Sequence, residues 1–194
     1  ELPLGVDVDL FRPLSDDHDR QPRLEGTIRL LSVGSLTPVK DQATLLSAMQ
    51  RVRDRLPGAH LHVVGEGRSR AALEQHIARL GLEHTATLHG AVPHEEMPAW
   101  YRGVDLCVLS SRYESQAMVV LEAAACGRAT VGTSVGLVPE LAAGSRNVPP
   151  GDAEALAEAL LSFLDEPEAP RRLGAAALEA VRSRYRIEQT VERL

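Results

Sequence analysis

The sequence predicts an α/β fold: a Rossmann-like, doubly wound and mostly parallel six-stranded sheet with helices on both faces. Three observations carry this. Short apolar runs of strand length alternate with amphipathic stretches of helix length from Thr27 onward. Several of the strand runs are continuously apolar, as strands covered on both faces are. Right-handed crossovers then place successive strands side by side in one sheet.

In order, Ile28 to Gly34 (IRLLSVG) is the first strand, ended by glycine. Ala43 to Leu56 is a helix with Leu45, Leu46, Met49 and Val52 on one face, stopped by Pro57-Gly58. His60 to Gly65 is the second strand, Ser69 to Leu80 the second helix, closed by Gly81. Thr85 to Gly90 is the third strand, and His94 to Arg102 a short helix that His94 is expected to cap. Val104 to Leu109 is the fourth strand, Val119 to Cys126 a helix, and Ala129 to Thr133 the fifth strand. Pro139 to Ala143 reads as a helical turn and Arg146 to Val148 as a sixth short strand. Helices follow over Ala153 to Leu164, Pro170 to Arg184 and from Ile187. Residues 1–26 read as linker and loop, punctuated by Pro and Gly and then polar from Asp16 to Glu25; residues 27–194 form the sheet domain. The start at Glu1, with no Met, reads as a piece cut from a longer chain.

Composition narrows the function. The 194 residues are 44% hydrophobic and 25% charged, as in ordinary globular proteins. A net charge of −6 argues against a nucleic-acid partner, whose phosphates need a basic face. No apolar run approaches a membrane span and no signal peptide opens the chain, so a cytoplasmic location is expected. Cys107 and Cys126 lie in apolar runs and read as buried, reduced side chains. The seven histidines show no ligand spacing, and no metal or cofactor is expected.

If the strand order is 3-2-1-4-5-6, strands one and four are neighbours at the switch point, where such folds bind ligands. The loops leaving them are Gly34 to Lys40 and Ser110 to Glu114. The first is neither a Walker loop nor G-x-G-x-x-G. It offers Gly34 for backbone approach, the Ser35 hydroxyl, and the positive charge of Lys40 near a helix start, unless Lys40 is merely a surface lysine. The second leads into the apolar helix VVLEAAAC, whose first-turn N–H groups, from Gln116 to Met118 and Val119, are unpaired. A helix N-terminus beside a lysine makes a diphosphate site. Glu114 reads either as an acceptor from sugar hydroxyls or as an exposed loop residue. Glu122, inside the helix, reads either as an acceptor from a ribose diol or as a group facing water. Gly65-Glu66-Gly67 reads as a turn, and Gly90-Ala91-Val92 as a turn or as backbone lying against a planar ligand.

The E-x7-E spacing of Glu114 and Glu122 with the helix VVLEAAACG resembles the retaining, GT-B-fold glycosyltransferases of family 4. Leu4-Gly5-Val6-Asp7 with Phe11-Arg12-Pro13 resembles the family's N-G-V-D…F-x-P linker. Val33-Gly34-Ser35-Leu36 with Lys40 resembles V-G-R-L…K-G, and Val63-Val64-Gly65-Glu66-Gly67 resembles I-V-G-x-G. His89-Gly90, Gly136 to Glu140 (GLVPE) and Val148 to Asp152 (VPPGD) match later family segments in order. The resemblance implies the C-terminal, donor-binding domain of a two-domain enzyme that uses a nucleoside-diphosphate sugar. The acceptor would then be held by an N-terminal domain of the same protein, through which alone any peripheral membrane association would come. It implies further that Glu114 contacts the donor sugar, Glu122 the ribose, Lys40 and the position of Ser35 the diphosphate, and Gly90 to Val92 the base. Two departures stand out. The family's E-G-F-G reads Glu114-Ser115-Gln116-Ala117, which leaves the backbone less free to take positive φ. Ser35 replaces an arginine and removes a charge.

Overall fold

A computed structural model of the protein describes residues 4–13, 22–141, 144–166 and 168–191. Strands β1 (Ile28–Val33), β2 (Ala59–Val64), β3 (Ala86–Gly90), β4 (Leu106–Leu109), β5 (Thr130–Thr133) and β6 (Ser145–Val148) form one sheet. Its order is β3-β2-β1-β4-β5-β6 and every neighbouring pair is parallel. Between and after them run α1 (Gln42–Arg55), α2 (Arg70–Leu80), α3 (Met97–Arg102), α4 (Met118–Ala125), α5 (Ala153–Leu164), α6 (Ala169–Arg184) and α7 (Ile187–Val191). The Rossmann-like, doubly wound reading is therefore correct. Among the described residues no helix is long and apolar enough to cross a membrane.

Alternation along the strands divides the core between the two faces of the sheet. Leu30, Leu61, Leu106 and Val108 point into one cluster, closed by Leu45, Leu46 and Met49 of α1 and Leu156, Leu160 and Phe163 of α5. Leu31, Cys107 and Leu109 point into the other, with Tyr101, Leu121, Ala125 and Val181 of α3, α4 and α6. Both cysteines are free and buried, and burial raises both thiols, that of Cys126 to about 12. Residues 4–13 pack on the sheet domain, while 14–21, most of the expected polar loop, lie outside the described residues. Val6 donates its N–H to Tyr185 O and Phe11 is fully buried under Tyr101.

One local expectation changes. His94 opens a single 3-10 turn (His94–Glu96) that leads into α3; Pro93 holds the cap position, and the His94 ring lies 5.2 Å from Phe11. From Pro139 the chain makes the expected turn as far as Leu141, whose N–H donates to Leu137 O; Ala142 and Ala143 lie outside the described residues. The helix at Ala153 is as expected, with Asp152 capping it through the N–H of Ala155 at 2.9 Å.

Candidate functional site

Because β1 and β4 are adjacent, with Leu30 paired to Leu106, the loops at their carboxyl ends meet. They are joined at several points. The Ser110 hydroxyl donates to Lys40 O at 2.9 Å, and the Arg112 N–H to Val39 O at 2.8 Å. Lys40 Nζ reaches Glu114 Oε1 at 2.5 Å, and Ser111 Oγ donates to the same oxygen at 2.6 Å. The Glu114 side chain is only 9% exposed, so it is not an open loop residue; Lys40 is 27% exposed and is not a free surface lysine. Thr133 Oγ on β5 holds Ser111 O at 2.7 Å and fixes the loop from behind. One cation and one anion, at the expected positions, are thus brought into contact at the switch point.

The N-terminus of α4 opens into the same region. Its cap residue is Ala117, at φ 60° and ψ 62°, and no side chain caps the helix. The loss of the family's glycine was expected to leave this backbone less free to take a positive φ. Ala117 adopts one all the same, because the surrounding contacts over-determine it. Gln116 O accepts from Leu137 N–H at 3.0 Å, and Gln116 Oε1 from Leu4 N–H at 2.8 Å. Gly136 lies so close that a Cβ there would stand 3.0 Å from that of Glu114. A left-handed alanine costs about 1 kcal/mol, so Ala117→Gly should stabilise the chain by about 0.5–1 kcal/mol. Urea unfolding of the two forms measures this. Ser115 is exposed beside it, and Met118 and Val119 are half-buried on the first turn of α4.

Glu122 does not face water. It is 9% exposed, and its Oε2 accepts from the Tyr101 hydroxyl at 2.7 Å. Burial, reinforced by the adjacent Glu122 charge, pushes the Tyr101 phenol well up, so it remains a donor. The tyrosine was invisible as a site residue because it acts across 21 positions from a different helix. Removing it by Tyr101→Phe leaves a buried carboxylate oxygen unpaired and should destabilise the chain by about 1–3 kcal/mol; a thermal melt reads the loss.

The remaining loops form a ridge across β1, β2 and β3. Gly65 approaches so closely that a Cβ would sit 2.0 Å from Gly34 O, and its N–H donates to Gly90 O at 2.8 Å. This is packing that only glycine permits, and it aligns Gly34, Gly65 and Gly90 along one edge of the site. Ser35 is exposed, and its carbonyl accepts from Gln42 Nε2 at 3.1 Å. Ala91 is exposed and Val92 packs on the core near α4. Among the described residues no cluster of His, Cys, Asp or Glu is placed to hold a metal ion. A roomier cavity, about 520 Å³, lies at the other end of the sheet, lined by Thr27, Ile28, Asp105 and Arg128. It is not read as the site, because α1, α2, α4 and α5, which follow strands, all begin at the carboxyl ends.

A six-stranded, all-parallel, doubly wound sheet with helices on both faces places the chain among the Rossmann-like α/β domains, and its switch point gathers a lysine, a carboxylate and an uncapped helix N-terminus. The comparisons make this more specific. The family model for glycosyl transferases group 1 matches residues 15–180, and the chain belongs to that family. It is 32% identical over 202 residues to a D-inositol 3-phosphate glycosyltransferase of Segniliparus rotundus, covering 100% of this chain and 45% of that enzyme. It superposes on sucrose-phosphate synthase from Thermosynechococcus elongatus with a TM-score of 0.87 at 28% identity, over 99% of this chain and 50% of the other. It also shares its fold with the Anabaena protein HepE, solved with UDP and glucose, at a TM-score of 0.84 and 20% identity, over 97% of this chain and 53% of the other. The chain therefore spans about half the length of these relatives.

Proposed function

We propose that this chain is the donor-binding domain of a retaining glycosyltransferase that moves a sugar from a nucleoside diphosphate to an acceptor hydroxyl. The observation that carries this is the meeting of Lys40, Glu114 and the uncapped N-terminus of α4 at the switch point. Negative charge develops on the diphosphate as the sugar leaves. Lys40 and the first-turn N–H groups of α4 would stabilise it. Glu114 would accept from the donor sugar's hydroxyls. Glu122, held by Tyr101, would accept from the ribose. The glycine ridge and the Ala91-Val92 backbone would lie against the base. Family membership supports the transfer reaction, and UDP with glucose on a protein of this fold supports a sugar-nucleotide donor. Relatives of twice this length support an acceptor-binding domain outside these 194 residues, so this chain alone should show no transfer.

A second reading, a non-catalytic nucleotide-sugar-binding module, is favoured by Ser35 and by the altered Ser115-Gln116-Ala117 loop. Calorimetry with uridine and guanosine diphosphates on the native chain, on Glu122→Ala and on Glu122→Gln tests the donor site. Saturable binding that weakens in both variants is expected; Glu122→Gln keeps an acceptor for Tyr101 and controls for folding. Absence of binding at millimolar nucleotide contradicts the donor-site reading. Binding without transfer by the full-length protein favours the second reading.

A further inference from the structure

Lys40 sits in a turn with an awkward successor. Asp41 takes φ 48° and ψ 43° at the start of α1, in the left-handed region that a non-glycine side chain enters at a cost. It stands where the family motif K-G has glycine. Its carboxylate does not cap the helix backbone. It is 8% exposed, and Oδ2 accepts from Thr44 Oγ1 at 2.8 Å and from Arg112 Nε at 2.9 Å. Arg112 comes from the loop that carries Glu114. Its own N–H holds Val39 O, and its guanidinium lies against Gly151, at the start of α5. The residues on both sides of Lys40 are therefore gripped by Arg112, one through its backbone and one through its side chain.

We infer that Arg112 is a positioning residue for the donor diphosphate. With Asp41 it forms a strut that holds the left-handed turn and so sets where the Lys40 ammonium points. The inference rests on the donor-site reading of Lys40. Two arrangements distinguish the strut from a direct phosphate contact. Arg112 meets Asp41 and Gly151, while Lys40 meets Glu114. The strut also acts only as long as residue 41 needs holding. Glycine at 41 takes the turn without strain.

The test is a double-mutant cycle in uridine diphosphate affinity. Arg112→Ala should raise the dissociation constant roughly tenfold through misplacement of Lys40. In an Asp41→Gly background the same change should have little effect, because the turn no longer depends on the arginine. Equal losses in both backgrounds would mean a direct contact, and no loss in either would mean no role; each overturns the inference. A nucleotide-free readout separates it from the donor-site reading: the ¹³C signals of Lys40 Cε and Glu114 Cδ. These should shift in Arg112→Ala and return toward native positions in the Asp41→Gly/Arg112→Ala double variant. If the native chain binds no nucleotide, the donor reading fails, and the strut still stands on those signals; unmoved signals overturn it.

Discussion

Lys40→Met should bind uridine diphosphate roughly 30- to 100-fold more weakly than the native chain, the worth of a charge-assisted contact to a phosphate in a sheltered site. Glu114→Gln should act in the opposite sense and bind the free nucleotide about fivefold more tightly, the scale of a partly exposed ion pair. The two signs follow from one geometry. Lys40 Nζ and Glu114 Oε1 are 2.5 Å apart, so a nucleotide bound as proposed would compete with the carboxylate for the lysine. Removing the lysine removes the attraction. Removing the charge of Glu114 removes both a competitor and a repulsion, while Ser111 still has an oxygen to donate to. With an intact sugar nucleotide the gain should shrink, because the proposed contacts of Glu114 with the sugar are then weakened as well. Calorimetric titration of the three forms with the free nucleotide measures both changes. If both variants weaken binding alike, Glu114 contributes an attraction that the proposed competition does not contain.

The native chain should lose stability on acidification through the histidine window, before general acid unfolding. His60 and His62 on β2 stack at 4.6 Å, and His62 reaches His89 on β3 at 2.9 Å. His62 is 1% exposed, and its other nitrogen lies 3.0 Å from Glu25 O. A carbonyl only accepts, so Nε2 of His62 carries the hydrogen and Nδ1 accepts from His89 Nε2. A proton added to Nδ1 would set two donors face to face. Burial is the leading cause that lowers His60, His62 and His89, and His62 falls to about 4. Groups with depressed pKa bind more protons when unfolded. Their contribution is therefore complete above the unfolded value of about 6.5 and is lost as pH falls from there toward about 4. His62 alone accounts for a loss on the order of 2–3 kcal/mol across that window. Urea unfolding at pH 7.5 and pH 4.5 measures it, and His62→Leu should flatten the difference. A native chain equally stable at both values would show that the imidazoles titrate freely.

The elements were legible because their signals are local. IRLLSV and HLHVV are buried strands by apolar run and length, and the helix faces repeat at helical spacing. The switch point followed from strand order, and with it the meeting of the Lys40 and Glu114 loops. What escaped the sequence were side-chain partnerships across long separations. Nothing near Glu122 in the chain announces Tyr101, and nothing near Asp41 announces Arg112. His60 and His62, two residues apart on β2, share a face, but the third imidazole arrives from the neighbouring strand through its register. Ala117 shows the limit of propensity. Alanine argues for an ordinary backbone there, yet Gly136, Leu137 and Leu4 together enforce a left-handed one.

The most direct test of the donor-site claim is the map of backbone amide signals that move when uridine diphosphate is titrated into the native chain. The site described here predicts shifts concentrated in Gly34–Lys40, Gly90–Val92 and Ser115–Val119, at the carboxyl ends of β1, β3 and β4. Shifts centred instead on Thr27, Asp105 and Arg128, at the opposite end of the sheet, would contradict it.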